Sequence, residues 1–196
     1  MKKGRLIVIE GIDKAGKTTQ SQFLTEMLSA NGIDCVRINF PDYSTPIGSE
    51  IKAFLHGDHN YPDEVKMMLL SANRWEKKNE LMACLKEGKV IVMNRYYQSN
   101  LVYGISKGLK LDWLIKLDKG MPKEDLVIVI NIAPSTSSKR SKNADLFESD
   151  LQLLKSVREN YLAMARRYRW VVVNGEKSKA DLKKEIISIV NKYIKF

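Results

Sequence analysis

A glycine-rich loop directly after a short apolar run is the feature that most constrains how this chain folds. Residues 5–10 read RLIVIE, and Gly11 to Thr18 then fit the pattern G-x-x-x-x-G-K-[ST] without a gap. In this pattern a strand leads into a loop whose backbone N–H groups surround phosphate, and a helix begins near the lysine. The sequence therefore predicts a nucleotide-binding P-loop at the end of the first strand.

The residues of this loop have distinct predicted roles. Lys17 is expected to reach the β- and γ-phosphate oxygens, and the Thr18 hydroxyl is expected to bind Mg²⁺. The predicted nucleotide-binding residues are Gly11, Ile12, Asp13, Lys14, Ala15, Gly16, Lys17, Thr18 and Thr19.

Short apolar runs alternate with segments of helical periodicity along the rest of the chain. This alternation predicts a parallel sheet covered on both faces, because strands buried on both faces are apolar throughout. The predicted strands are 5–10, 34–39, 89–94, 126–132 and 170–174, and the predicted helices are 17–31, 47–56, 63–87, 98–106, 111–118, 149–168 and 179–194. The expected fold class is α/β: a three-layer P-loop NTPase fold with a five-stranded parallel sheet, in one domain over residues 1–196.

One polar segment interrupts this pattern after the fourth strand. Residues 133–145 read APSTSSKRSKNAD, which is too polar for a core and too short for a tail. We expect a mobile loop or short lid over about 133–146, since polar loops often carry functional groups. Ligands of an open parallel sheet bind at the carboxyl ends of the strands. The ends where we expect the ligand site are Asp13-Lys14, Asn39-Phe40-Pro41, Asn94-Arg95-Tyr96 and the lid after Ile132.

The net charge of +10 raises the question of a nucleic-acid partner, because a basic surface attracts a polyanion. The lysines are scattered and form no basic run, so we expect no nucleic-acid partner and interpret the charge as a solvated surface.

No apolar run approaches the roughly 18 residues of a membrane span. Cys35 and Cys84 form no CxxC motif. The expected location is therefore the reducing cytoplasm, without a membrane partner.

Further motifs narrow the class of P-loop protein. No well-placed Asn-Lys-x-Asp element of the kind that reads guanine in a GTPase is found. The strand VIVMN ends in Asn94, whereas an ATPase motor usually places an Asp there for Mg²⁺. Small size and a polar lid favour a nucleoside monophosphate kinase. Such an enzyme needs cationic groups, because two anionic nucleotides must come within reacting distance.

Several motifs in the right order resemble the thymidylate kinase family. They are EGIDKAGKTTQS at the P-loop, FPDYSTPIG after the second strand, SANRWE in the long helix, NRYYQSNLVYG after the third strand, and LDWL and GMPKEDLVIVINI further on. The resemblance covers nearly the whole chain, densely to about residue 133 and more thinly beyond. It implies transfer of the γ-phosphoryl group of ATP to dTMP, with Mg²⁺, and a homodimer formed through apolar helix faces such as 63–87.

The resemblance also implies roles at the acceptor nucleotide. Asp13 matches the carboxylate that accepts from the 3′-hydroxyl, and Arg95 matches the arginine that holds the acceptor phosphate. Arg74 and Asn100 match residues that contact the base, and Tyr103 matches an aromatic that disfavours ribose. Phe40, Pro41 and Tyr43 match the loop that closes over the nucleoside. Structural alternatives stay open: a helix cap for Asp13, an ion-pair partner for Arg95, a solvated helix face for Arg74 and ordinary core for Tyr103.

Three residues depart from the family pattern. Asn94 replaces the usual Asp and removes a negative charge near Mg²⁺, although an amide can still orient a metal-bound water. Leu70 stands where a phenylalanine often stacks on thymine, which could relax the choice of base. Lys14 replaces an arginine that some members carry in the P-loop and others supply from the lid. The transferring phosphoryl group would therefore be stabilised by Lys14 or by Arg140 of the lid.

The expected function is dTMP kinase activity in dTTP synthesis. The predicted catalytic residues are Asp13, Lys14, Lys17, Arg95 and Arg140. Two alternatives are a pyrimidine kinase of relaxed specificity for dUMP, UMP or CMP, and a non-catalytic, nucleotide-dependent nucleic-acid binder.

Overall fold

The computed structural model describes residues 3–140 and 150–194. The strands β1 to β5 are Arg5–Glu10, Cys35–Asn39, Val90–Asn94, Leu126–Asn131 and Val171–Asn174. They form a parallel sheet in the order β2-β3-β1-β4-β5, so the first strand lies in the centre. The predicted α/β fold class with a five-stranded parallel sheet is confirmed.

Helices surround the sheet in the described part of the chain. In order, α1 to α9 are Lys17–Ala30, Pro46–His56, Asp63–Glu76, Lys78–Lys86, Tyr97–Ser106, Leu111–Leu117, Pro134–Arg140, Leu151–Tyr168 and Lys179–Tyr193. Helix α1 packs against α9, and α5 packs against α8. Residues 6–9 of β1 point alternately to the two faces of the sheet and are all fully buried. Both faces of the sheet are therefore covered by helices.

The helix predicted over 63–87 is divided into α3 and α4. Lys77 separates them, with a ψ of 0° in place of the usual helical value. No glycine or proline marks this position in the sequence. Ser71 and Trp75 near the end of α3 both donate to the Leu117 carbonyl oxygen, at 3.0 and 2.8 Å. Contacts with the end of α6 therefore fix where α3 stops.

The segment predicted as a polar loop or lid, 133–146, begins as a helix. Helix α7 occupies Pro134–Arg140, whereas residues 141–146 lie outside the described residues. The Glu176 carboxylate accepts from the Ala133 backbone N–H at 2.8 Å and from Thr136 Oγ1 at 3.1 Å. A side chain about forty residues away thus caps the start of α7, which the local sequence could not indicate.

The carboxyl ends of the strands lie at one edge of the sheet and carry the segments predicted to bind nucleotides. The P-loop follows β1, residues 40–45 follow β2, and Arg95 follows β3. In the described ranges no helix is both long and apolar enough to cross a membrane.

Candidate active site

The loop between β1 and α1 requires glycine at its first position. Gly11 has a φ of 140°, and a Cβ there would lie 2.4 Å from the Ile130 carbonyl oxygen. Only glycine fits this close approach without strain. Lys17, the first residue of α1, is buried, and its Nζ donates to the Gly11 and Ile12 carbonyl oxygens at 3.0 and 2.7 Å. The lysine ammonium is therefore held within the loop.

Asp13 is contacted by three other predicted site residues. The Tyr103 hydroxyl donates to Oδ2 at 2.6 Å, Arg95 Nη2 forms an ion pair with Oδ1, and Lys17 Nζ lies 3.9 Å from Oδ1. Burial by itself raises the pKa of Asp13, but Arg95, Lys17 and Tyr103 outweigh it and lower the pKa to about 2. The carboxylate is therefore ionised at neutral pH. Among the described residues no side chain caps α1, whose N-cap is Gly16, so the capping alternative is wrong.

Arg95 adopts an unusual backbone conformation beside the P-loop. Its φ of 68° lies in the left-handed region, which non-glycine residues adopt mainly where the surroundings enforce it. Its Nη1 donates to Ser99 Oγ at 3.0 Å, and its guanidinium lies 5.6 Å from the centroid of the Tyr103 ring. Burial by itself lowers the pKa of Arg95, but the Asp13 carboxylate raises it well above its ordinary value. The guanidinium is therefore charged and fixed in position.

A cavity of about 90 Å³ extends from Asp13 between α3 and α5. All the residues predicted to bind the acceptor nucleotide line it: Asp13, Phe40, Pro41, Tyr43, Leu70, Arg74, Arg95, Asn100 and Tyr103. Among the described residues, its remaining lining residues are Leu55, Tyr96 and Ser99. The structure thus brings together predicted residues from four separate segments of the sequence. Tyr103 is only 5% exposed, but its hydroxyl reaches Asp13, so it is not merely core.

Arg74 is buried, and the alternative of a solvated helix face is therefore wrong. It is 2% exposed, and its Nε and Nη2 each donate to the Asp118 carboxylate at 2.8 Å. This bidentate pair fixes the plane of the guanidinium at the wall of the cavity and leaves Nη1 outside the pair. Asn100 is also buried and donates to the Met67 carbonyl oxygen at 2.9 Å.

A larger groove of about 700 Å³ lies over the P-loop. The P-loop and start of α1 line it from Asp13 to Gln20, together with Arg37, Asn39, Asn94, Arg140, Gly175, Lys177, Lys179 and Leu182. Gly11 and Ile12 are not among its lining residues. The groove and the smaller cavity share Asp13, Phe40, Pro41, Tyr43 and Arg95. The two spaces therefore meet at the Asp13–Arg95 pair.

Both candidate cations for the transferring phosphoryl group lie at this groove. Arg140 Nη1 donates to the Lys14 carbonyl oxygen at 3.2 Å, and Ser137 Oγ donates to the Asp13 carbonyl oxygen at 2.8 Å. Helix α7 is thus joined directly to the P-loop backbone. Lys14 has a φ of 58°, another left-handed non-glycine residue at the site.

The residues around Thr18 fit a hydrated magnesium ion. Asn94 Nδ2 donates to Thr18 Oγ1 at 3.1 Å and to Asn39 Oδ1 at 3.2 Å. Asn94 Oδ1 is buried and has no hydrogen-bond partner within residues 3–140 and 150–194. Mg²⁺ in nucleotide sites usually keeps several waters, and an amide beside a hydroxyl ligand can orient one of them.

Sequence reasoning missed several residues at this site. Glu10, Ser99 and Tyr161 lie behind Arg95, and Glu10 could have been noticed as a carboxylate that ends an apolar strand. Asp118 pairs with a residue 44 positions away and gives no local signal. Arg37 on β2 lines the groove, and its Nη1 is buried without a hydrogen-bond partner in the part of the chain that the structure describes.

The fold and the paired cavities define a P-loop kinase that binds nucleotides. The family model for thymidylate kinase matches residues 9–186. The chain is 32% identical over 196 residues to the thymidylate kinase of Dictyostelium discoideum, covering all of this chain and 88% of that one. It is 33% identical over 193 residues to the thymidylate kinase of Plasmodium falciparum, covering 97% and 91%.

A structural comparison gives the same result. A solved structure of thymidylate kinase from Candida albicans, described as revealing the origin of broad substrate specificity, matches with a TM-score of 0.87 and 29% identity. The match covers 97% of this chain and 92% of that chain. The chain belongs to the thymidylate kinase family. It is an enzyme, a nucleotide-binding P-loop kinase with ATP as phosphoryl donor, and the non-catalytic nucleic-acid binder is not favoured.

Proposed function

We propose that this chain transfers the γ-phosphoryl group of ATP to dTMP, giving dTDP and ADP, with the two nucleotides end to end. The supporting observation is the junction of the two cavities at Asp13 and Arg95. The P-loop groove is suited to the phosphates of ATP, and the smaller cavity is suited to the acceptor nucleoside. Their shared residues would lie where the γ-phosphate of one nucleotide meets the α-phosphate of the other.

The acceptor is held by charge at its phosphate and by hydrogen bonds at its sugar and base. Arg95 binds the acceptor phosphate, and the ionised Asp13 accepts from the 3′-hydroxyl. Arg74, oriented by Asp118, contacts the thymine edge together with Asn100. Phe40, Pro41 and Tyr43 cover the nucleoside, and Tyr103 crowds the 2′ position and disfavours ribose.

The donor is held by the P-loop, with Lys17 on the β- and γ-phosphate oxygens. Thr18 and Asn94 would hold Mg²⁺, Thr18 directly and Asn94 through a metal-bound water. When bound, the ion supplies positive charge that offsets the charge of the donor phosphates.

Arg140 provides the cation that stabilises the charge on the transferring phosphoryl group, and α7 forms part of the lid. The hydrogen bond from Arg140 to the Lys14 carbonyl oxygen brings the Arg140 guanidinium to the P-loop. A planar guanidinium can bond two phosphoryl oxygens at once, which a lysine ammonium does less well. Lys14 is the competing candidate, because it lines the same groove.

The decisive experiment measures ADP release over a panel of acceptors: dTMP, dUMP, UMP, dCMP and dGMP. We expect the highest kcat/KM with dTMP and no ADP release from Lys17→Met. A purine nucleotide preferred over both pyrimidine deoxynucleotides would overturn the proposed substrate.

A pyrimidine kinase of relaxed specificity is the second candidate, and Leu70 supports it. Leu70 lines the acceptor cavity without a ring to stack on the base. The Candida albicans thymidylate kinase is described as having broad substrate specificity, which is compatible with this second candidate. Leu70→Phe is expected to lower KM for dTMP about fivefold, since a stacked aromatic pair contributes about 1 kcal/mol. An unchanged ratio of dTMP to dUMP kcat/KM in Leu70→Phe would show that Leu70 does not relax specificity.

A homodimer through α3 and α4 is supported by a stripe of exposed apolar side chains. Met68 and Trp75 of α3 are 45% and 37% exposed and lie seven residues apart, and Met82 of α4, beyond the break at Lys77, is 50% exposed. This spacing returns a side chain to nearly the same helix face. Sedimentation of the intact chain and of Met68→Glu is expected to give a dimer and a monomer, respectively.

We also propose a reducing, cytoplasmic location, because Cys35 and Cys84 are both free thiols. Fractionation of the source cells is expected to recover the enzyme with cytoplasmic markers.

A further inference from the structure

A buried carboxylate lies directly behind Arg95 and has no role in the proposed function. Glu10, the last residue of β1, is 0% exposed. Its Oε1 accepts from the Tyr96 backbone N–H at 2.8 Å, and its Oε2 accepts from Ser99 Oγ at 2.8 Å and from the Tyr161 hydroxyl at 2.7 Å. A carboxyl group is rarely buried unless such partners compensate for the loss of water. Three elements of the fold, β1, α5 and α8, thus meet at this side chain.

Ser99 connects this carboxylate to Arg95. Its hydroxyl accepts from Arg95 Nη1 at 3.0 Å while it donates to Glu10. The Tyr161 hydroxyl lies 3.1 Å from the same oxygen. On the opposite side of the guanidinium, Nη2 is paired with Asp13. Arg95 therefore lies between the carboxylate of the P-loop and a polar network anchored on Glu10.

We propose that Glu10 and Tyr161 are positioning residues that act through Ser99 to hold the Arg95 guanidinium in place for the acceptor phosphate. The inference rests on the proposed role of Arg95. Without the bond to Ser99, Nη1 keeps only its longer bond to the Gly11 carbonyl oxygen at 3.4 Å. The guanidinium can then turn both of its donor edges toward Asp13, since arginine and carboxylate favour the bidentate arrangement. Its charge would then be directed at the P-loop carboxylate instead of the acceptor nucleotide.

Tyr161 allows this role to be separated from substrate contact. It is 1% exposed, it belongs to α8, and it does not line the acceptor cavity. Its hydroxyl is linked to Arg95 through Ser99, and Glu10 also accepts from the Tyr96 backbone, so substitutions at Arg95 are needed to show which route reaches the acceptor. Tyr161→Phe removes that hydroxyl and keeps the ring in the core.

The first measurement compares kcat and both KM values for Tyr161→Phe and the unmodified enzyme. We expect kcat to fall about tenfold and KM for dTMP to rise severalfold, as for loss of one hydrogen bond to a charged network. KM for ATP is expected to stay unchanged. Ser99→Ala, which interrupts the network at its centre, is expected to give the same pattern with a larger loss.

A matched control is available on α5. The Tyr97 hydroxyl donates to Glu124 Oε2 at 2.5 Å, and Tyr97 does not line the acceptor cavity. Tyr97→Phe removes the same kind of tyrosine–carboxylate bond without touching Arg95. We expect it to leave kcat and KM for dTMP unchanged.

A double-mutant cycle with Arg95→Lys distinguishes positioning from general stability. Lysine has no forked guanidinium to join Ser99 to Asp13, so Tyr161→Phe is expected to have no further effect on kcat in that background. An equal loss of kcat in both backgrounds, or a lower Tm with unchanged kinetics, would overturn the proposal. If Arg95→Lys alone left kcat and KM for dTMP unchanged, the proposed role of Arg95 would fail as well.

Discussion

Arg74 and Asp118 form a bidentate ion pair in which both side chains are only 3% exposed. The two N–H···O distances are 2.8 Å, and the pair joins the end of α3 to the residue that follows α6. Because Arg74 lines the proposed acceptor cavity, this pair connects the stability of the fold to the geometry of that cavity.

Neutralising Asp118 is therefore expected to affect both stability and acceptor binding. Asp118→Asn leaves a buried guanidinium without its counter-charge, which should lower the free energy of unfolding by about 3 kcal/mol. KM for dTMP should rise while KM for ATP stays the same. Urea unfolding and steady-state kinetics measure the two effects. Glu87→Gln, which removes the exposed pair with Lys89 at 2.9 Å, serves as control and should change stability by less than about 1 kcal/mol.

The low pKa of Asp13 predicts how its contribution to stability depends on pH. A carboxylate with a folded pKa of about 2 and an ordinary value of 3.8 favours the ionised form in the folded state. Its contribution is fully present above pH 3.8 and is lost as the pH falls toward 2. The difference in unfolding free energy between the unmodified enzyme and Asp13→Asn should shrink by about 2 kcal/mol over this range. A difference that does not vary with pH would contradict the assigned pKa.

Substitutions of Arg140 and Lys14 identify the cation at the transferring phosphoryl group. Arg140→Ala is expected to lower kcat by about a thousandfold, the size of effect known for a transition-state arginine, with a small change in KM for dTMP. Lys14→Ala is expected to cost less. Turnover that survives Arg140→Ala but is abolished in Lys14→Ala would assign the role to Lys14. Lys139→Ala, on the same helix, is the matched control and should have little effect.

Asn94→Asp is expected to reduce the Mg²⁺ concentration needed for half-maximal activity by about tenfold, because it restores a negative charge beside Thr18. Calorimetric titration of the ADP complex with Mg²⁺ gives a second reading that does not depend on turnover. Asn174→Asp places the same charge at the end of β5 and should leave the Mg²⁺ requirement unchanged. Equal responses of the two variants would show that Asn94 does not act near the metal.

The amino-acid sequence by itself determined the sheet, the P-loop and the residues that line the smaller cavity. These features rest on local patterns: apolar runs predict buried parallel strands, and the glycines and Lys-Thr pair of residues 11–18 predict a phosphate loop. The predicted acceptor residues follow motifs at the carboxyl ends of strands, which a parallel sheet necessarily brings to one edge.

The tertiary structure alone decided the partners that orient these residues. Glu176 caps α7, Asp118 orients Arg74, and Glu10 with Tyr161 holds Ser99 behind Arg95. Each of these contacts joins positions more than forty residues apart, and each replaces water around a buried or terminal polar group. Such pairings depend on how helices pack across the sheet, which the periodicity of a single segment does not encode. The sequence therefore predicts which groups carry the chemistry, and only packing decides what holds them in place.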